Sequence, residues 1–312
     1  SALAQRPRFR MVTDMAKVLT FTLNPTVDLF SEVEAVRPIR KIRTSGDRAD
    51  PGGGGINVAR VVTMLGGEAE AVFLGGGPTG QWLETLLDAQ GVPHRMLPIA
   101  GDTRVSFSVN EKTSGYDYRF VRGGPDISAE EMMPLIDIAA TQAGGYVVAS
   151  GSLPASAPAD FYARLAREAN RNGARFVLDT SGAALKDTFA EGGVFLAKPS
   201  QGELEELVGA ELDEKGVVEA AQSLVGRGQA KMVAVSMGAQ GALLASDAGV
   251  IRRSAPRVRV RSAIGAGDSF LGAMIWALGM GWPTEDAFEL AIAAGAAAVL
   301  TSGTQLCRKA DI

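Results

Sequence analysis

The chain is almost without two side chains that carry much nucleophilic and metal chemistry. Of its 312 residues one is cysteine, Cys307, and one is histidine, His94. A single cysteine excludes an internal disulfide and fits a reducing compartment, so a cytoplasmic protein is expected. A single histidine excludes paired-His metal sites, and a Ser-His-Asp triad would have to use His94, beside Val92-Pro93 in a segment that reads as loop. Any general base is therefore expected to be a carboxylate. Long apolar runs are missing as well. Nothing approaches the roughly 18 uninterrupted apolar residues of a membrane span, so no membrane partner is expected. A basic stripe is also absent, and the formal net charge of −4 argues against a nucleic-acid partner. The opening stretch, SALAQRPRFRMVTDMAK, carries arginines but no apolar core of a signal peptide. Residues 1–16 are expected to be a disordered leader and 17–312 the folded domain.

What is present is a large apolar content, 46%, and 38 glycines that gather before apolar runs. Short β-rich runs at 18–23, 69–75, 146–150, 175–179, 194–197 and 232–236 alternate with helical patterns. The helices are predicted at 56–65, 80–90, 159–172, 201–208 and 217–227. Near-continuous apolar strands separated by helices predict an α/β fold, with a parallel sheet covered on both faces. Ligands of such sheets bind beyond the carboxyl ends of the strands. One region breaks the rhythm. RVSFSVN (104–110) and YDYRFV (116–121) alternate with period two around a turn at 112–115, which predicts an antiparallel hairpin. A lone hairpin is marginal in water, so it must cover or pair with something. It is read as a lid, with lid strands inserted from about 29–46 and 103–122; an edge hairpin on the main sheet is the competing reading.

The most informative stretch is Gly265-Ala266-Gly267-Asp268, before the apolar run 269–280. Two glycines permit a sharp turn and close backbone approach to a ligand. A helix starting there aims free N–H groups and its positive dipole end at an anion, with the Asp268 carboxylate beside it. That is the equipment of phosphoryl transfer to a hydroxyl. Equally, Asp268 is read as nothing more than the N-cap of a helix, and the tetrapeptide alone does not decide. A second glycine run, Pro51-Gly52-Gly53-Gly54-Gly55, leads into a helix carrying Asn57, whose amide both donates and accepts. It is not a Walker A loop, because no Gly-Lys-Ser/Thr follows.

Seven segments occur in one order: NPTVD (24–28), GGGGINVAR (52–60), GSLP (151–154), DTSG (179–182), KPSQGEL (198–204), VSMGAQGAL (235–243) and IGAGDSF (264–270). Together they resemble the ribokinase-like sugar kinases, specifically the phosphofructokinase-B branch, over nearly the whole chain after Lys17. PGGGGINVAR and the late GTQLC (303–307) are most similar to the minor-type bacterial ATP-dependent 6-phosphofructokinases within that branch. The resemblance implies a ribokinase-like three-layer sandwich with a central, mostly parallel sheet and a small β-sheet lid. It implies ATP-dependent phosphorylation of a phosphorylated hexose, foremost fructose 6-phosphate to fructose 1,6-bisphosphate. Kinases of fructose 1-phosphate and tagatose 6-phosphate share these motifs. An inactive sugar-phosphate sensor is the non-enzyme alternative, and the intact Asp268 and its glycines argue against it.

Position by position, the resemblance makes Asp268 the base, and Gly265, Ala266 and Gly267 the anion hole. Asp28, Gly53, Gly54 and Asn57 match sugar-hydroxyl contacts, Arg104 the grip on the substrate's own phosphate, and Ser152 a further substrate contact. Lys198, Ser200, Ser236, Gly238 and Gly241 match ATP contacts. Ile292 and Ala296, one helical turn apart, would wall the adenine, although plain core packing explains them nearly as well. Glu203 matches the acid that organises Mg²⁺ through waters, but Ser200 stands where the family has Asn. Ser262, Ile264, Ala298, Thr301, Gly303 and Gln305 match a K⁺ site built mostly of carbonyls; Thr301 and Gln305 depart from the Asn and Arg of the nearest relatives. Lys41, in the expected lid strand, would reach a phosphate on its own or a neighbouring subunit. The implied partners are ATP, a phosphosugar and a second copy of the chain, paired as a homodimer through the lid sheets.

Overall fold

The computed structural model describes residues 15–312. Among these residues the strands are β1 (Val18–Thr22), β2 (Thr26–Val33), β3 (Ser45–Gly52), β4 (Ala69–Gly75), β5 (His94–Pro98), β6 (Arg104–Glu111), β7 (Asp117–Phe120), β8 (Tyr146–Ser150), β9 (Arg175–Asp179), β10 (Val194–Ala197), β11 (Ala230–Ser236), β12 (Ala242–Ser246) and β13 (Gly249–Arg253). The helices are α1 (Gly54–Met64), α2 (Gly77–Ala89), α3 (Ala129–Thr141), α4 (Phe161–Arg171), α5 (Gly182–Glu191), α6 (Gln201–Val208), α7 (Glu214–Gly226), α8 (Ala266–Gly279) and α9 (Thr284–Ala298).

The main sheet runs in the order β13-β12-β11-β10-β9-β8-β1-β4-β5. It is parallel from β11 to β5, and antiparallel only at the β12 and β13 edge. Every residue of VLTFT in β1 and YVVAS in β8 is buried, as strands with helices on both faces require. The period of two sends Val18, Val148 and Val177 into one core with Leu83, Leu271 and Phe288. Leu19, Phe21 and Val147 enter the other, with Leu135, Leu165 and Leu224. Helices α1, α2, α8 and α9 therefore cover one face and α3 to α7 the other, giving three layers.

The lid is a separate four-stranded sheet, β3-β2-β6-β7. Its hairpin forms as expected, with Phe107 opposite Phe120. The inserted strands differ from the expected 29–46. Thr26–Val33 and Ser45–Gly52 are strand, and residues 34–44 between them are loop. That loop holds Pro38 and four cations without alternation, so it cannot donate a continuous ladder or bury one face. Lys41 is thus an exposed loop residue rather than a strand residue. His94, expected in a loop, opens β5. Of the expected leader, residues 1–14 lie outside the described residues. Met15 and Ala16 pack against the core, and the Ala16 N–H donates to the Gly279 carbonyl at 3.3 Å.

Register decides what the lid shows to each side. Asp28, Ser106, Ser108, Arg104 and Arg119 share one face. Phe107 and Phe120 lie on the other, stacked at 4.8 Å and 46% and 53% exposed.

Candidate active site

The lid's polar face closes one side of a cleft of about 350 Å³ at the carboxyl ends of the central strands. Ser150 ends β8, with Gly151 and Ser152 after it; Asp179 ends β9, with Thr180 and Ser181 after it; Gly53, Gly54 and Asn57 come from the start of α1, and Gly265 and Asp268 from the start of α8. Asp28, Arg104, Arg119 and Glu203 also line it. The volume suits a sugar phosphate or part of a nucleotide.

Gly265 is the N-cap of α8, in the left-handed region at φ 75°. A side chain there would be strained, and its Cβ would come within 2.7 Å of Leu306 Cδ2. The helix itself begins at Ala266, so Asp268 is its third residue and does not cap it, which corrects the capping alternative. First-turn N–H groups have no intrahelical acceptor, and those of Gly267 and Asp268 are so placed. The Ala266 N–H reaches the Ala263 carbonyl at 3.4 Å. The Lys198 ammonium lies close by, since a Cβ on Gly267 would sit 3.1 Å from it. The positive end of the helix and this ammonium thus lie side by side at the half-buried start of α8.

Asp268 Oδ2 accepts a 2.8 Å hydrogen bond from Asn57 Nδ2. Among the described residues nothing donates to Oδ1. Burial pushes the Asp268 carboxyl up to about 6, and the Asp179 charge adds to this; Asn57, Lys198 and Arg60 pull the other way. Asp28 is likewise raised to about 6 by burial, against the pull of Arg119 and Arg104. Lys198 Nζ pairs with Asp179 Oδ1 at 3.0 Å, both side chains nearly buried. Burial alone would lower the ammonium, but the Asp179 carboxylate overrides it and holds the lysine protonated.

Close packing explains the glycine run. Gly54 lies against the end of β8, where a Cβ would run into Ser150 Oγ and come within 2.9 Å of the Gly151 nitrogen. Arg104 is half-buried, and its guanidinium donates to the carbonyls of Asn24 and Arg122 at 2.8 Å each and of Pro25 at 3.4 Å. Arg119 was not singled out from the sequence. Its signal was there in the alternation of YDYRFV, which puts it opposite Tyr118 and Phe120 in facing.

The other candidates are arranged around this centre. Ser200 caps α6, accepting from the Glu203 N–H at 3.2 Å, and Glu203 Oε2 accepts from the Ser200 N–H at 2.7 Å. Ser236 bridges to Ser200. Gly238 and Gly241 bracket the turn after β11, and a Cβ on Gly241 would collide with the Arg253 carbonyl. Ile292 is buried and Ala296 half-buried on α9. Ser262 Oγ donates to the Gly303 carbonyl at 2.9 Å, and Thr301 Oγ1 lies 2.7 Å and 2.8 Å from the carbonyls of Ala298 and Gln305. These residues form one polar knot beside the start of α8, with Ile264 joined to it through its N–H to Ser262 Oγ.

Residues 21–311 match the pfkB family carbohydrate kinases. The chain belongs to that family. This kinase is 44% identical to the ATP-dependent 6-phosphofructokinase isozyme 2 of Mycobacterium tuberculosis, covering 95% of this chain and 88% of that one. Phosphofructokinase-2 from Escherichia coli in complex with fructose-6-phosphate superposes with a TM-score of 0.89 at 37% identity, over 95% of this chain and 97% of that one. The same Escherichia coli protein in complex with potassium superposes at 0.91 and 38% identity, over the same shares of the two chains. The ribokinase-like fold and ATP as phosphoryl donor follow from membership.

Proposed function

We propose that this kinase transfers the γ-phosphoryl group of ATP to O1 of fructose 6-phosphate. The carrying observation is the placement of Asp268 and the α8 N-terminus at one side of the cleft and Arg104 with Arg119 at the other. A sugar whose own phosphate meets the guanidiniums lies across the cleft with its far hydroxyl at Asp268. Guanidinium forks suit a phosphate, while Asp28, Gly53, Gly54, Asn57 and Ser152 supply polar contacts for the ring hydroxyls. The O1 proton passes to Asp268 Oδ1 as the O1–Pγ bond forms and the bond from Pγ to the bridging oxygen of ADP breaks. The N–H groups of Gly265 and Gly267 and the Lys198 ammonium face the charge on the transferring group, the usual source of most rate enhancement here, and Ala266 holds the turn between them through its N–H to the Ala263 carbonyl.

The rest of ATP extends toward Ser200, Ser236, Gly238 and Gly241, with Ile292 and Ala296 as the adenine wall. Glu203 keeps one carboxylate oxygen in its capping box and leaves the other for a water on Mg²⁺, which suits an ion that retains its waters. Mg²⁺ there would offset the charge of the β- and γ-phosphates. The Ser262, Ile264, Ala298, Thr301, Gly303 and Gln305 knot fits a monovalent cation, because its acceptors are neutral oxygens. Turnover with K⁺ is expected to exceed turnover with tetramethylammonium, an ion too large for such a knot; equal rates would remove the site.

The exposed Phe107 and Phe120 favour pairing of two lids in a homodimer, and Lys41 on its loop would then reach toward a neighbouring copy. Sedimentation at micromolar concentration is expected to give a dimer, and Phe120→Glu a monomer. A wild-type monomer would refute the pairing. The single cysteine is in keeping with a cytoplasmic enzyme.

Release of ADP against a panel of hexose phosphates tests the activity. Fructose 6-phosphate is expected to give the highest kcat/KM. Preference for fructose 1-phosphate or tagatose 6-phosphate would reassign the substrate, and no release with any would leave a sensor.

A further inference from the structure

Asp268 does not meet Asn57 alone. Asn57 Oδ1 accepts a 2.8 Å hydrogen bond from Arg60 Nη1, which is also 2.8 Å from the Pro51 carbonyl. Arg60 Nε donates at 2.8 Å to Gln90 Oε1 beyond the end of α2. Asn57 and Arg60 are three residues apart on α1 and so share a face. The guanidinium is thereby fixed from three sides, and its proton-bearing edge meets the one acceptor of the Asn57 amide.

We propose that Arg60 is a positioning residue for phosphoryl transfer: it locks the Asn57 amide so that Asp268 Oδ2 is occupied by a donor and Oδ1 alone faces the acceptor hydroxyl. The inference rests on Asp268 being the base. A primary amide has a donor end and an acceptor end, and an arginine has no acceptor at all. With Arg60 in place, only the acceptor end of Asn57 can turn toward it, so the donor end must turn toward Asp268. A donor beside Oδ2 favours the ionised carboxylate, which a base needs at the start of the step. Were Arg60 neutral and free to rotate, the amide could turn over. Its oxygen would then face Asp268, repelling the carboxylate and favouring a protonated Oδ2. The remaining charges around Asp268 do not set this orientation. Lys198 approaches from the end of β10 and Asp179 from the end of β9, and neither touches the Asn57 amide. Asp28, Asp50 and Arg48 act on Arg60 only through their charge.

Arg60 also joins the end of β3 to α1 and α2, so a loss of activity by itself would not separate positioning from support. The test combines kinetics with a double-mutant cycle. Arg60→Gln is expected to lower kcat about tenfold with KM for both substrates changed less than about threefold, the pattern of a loss confined to the transition state. The acidic limb of its kcat profile should move up by about half a pH unit, because the carboxylate has lost its fixed donor. In an Asn57→Ala background, Arg60→Gln should cost no further kcat, since a residue acting through Asn57 has nothing left to act on. A kcat within about twofold of wild type with an unmoved limb, or a full further loss in the Asn57→Ala background, overturns the proposal. If Arg60→Gln does not fold, Arg60→Lys is measured in both backgrounds. It keeps the charge but not the fork, and a smaller kcat loss that vanishes without Asn57 is expected; an unchanged loss there overturns the proposal. Near-wild-type turnover of Asp268→Asn would instead bring down the base assignment itself, so the two failures are distinguishable.

Discussion

Asp268→Asn is expected to lower kcat by about 10²- to 10⁴-fold, the range for a positioned general base, with KM for both substrates little changed. Asparagine has the same shape and still accepts from Asn57 Nδ2 through its oxygen, so the surroundings stay in place. What is lost is the oxygen that takes the proton in the proposed transfer. Wild-type kcat should also fall as pH drops through about 6, because burial has raised Asp268 to that value and only its ionised form can act. The slope should be absent from the residual activity of Asp268→Asn. The sign for stability is opposite. A carboxyl raised from 3.8 to about 6 binds more protons folded than unfolded between those values, so it stabilises the fold least above pH 6. Asp268→Asn should therefore have a Tm at pH 7.5 equal to or above wild type, the trade expected where a site stores unfavourable charge for function. Turnover within a few-fold of wild type, or a wild-type profile flat through pH 6, would exclude Asp268 as the base.

Lys198→Met is expected to destabilise the fold by about 3–5 kcal/mol, read as a lower urea midpoint, and to raise KM for ATP. The loss comes from Asp179 rather than from the missing cation. At 3.0 Å the two charges neutralise each other beneath the cleft, with 6% and 14% of their side chains exposed. Removing one leaves a carboxylate buried without a counter-charge. Lys198→Met with Asp179→Asn should recover most of the stability while leaving turnover low, since the ammonium beside Gly267 is still missing. Equal instability in the single and double variants would show that packing, not charge, is at work.

Several elements were legible because they depend on neighbours a few residues away. Strands Ala69–Gly75, Tyr146–Ser150, Arg175–Asp179 and Val194–Ala197 and helix Gln201–Val208 lie where the hydrophobic pattern puts them. Each strand has a short apolar run at its centre, and Ser200 with Glu203 writes a capping box into the sequence. The edge strands Ala242–Ser246 and Gly249–Arg253 escaped, being short, next to one another and split by a two-residue turn. Residues 45–52 escaped too, because SGDRADPG has no alternation; its partner Thr26–Val33 makes it a strand.

Of the site, the glycine turn at Gly265 and the carboxylate three residues on were determined by the sequence itself, since a helix start and its dipole are local properties. So was the absence of histidine chemistry. The tertiary structure alone decided that Asn57 meets Asp268, 211 residues away, that Arg60 holds it there, and that Lys198 is matched to Asp179. It also decided which lid face turns to the cleft, bringing Arg119 in and leaving Phe107 and Phe120 outside. These contacts depend on strand order and register, which are set by burial of the whole sheet rather than by any stretch of the chain.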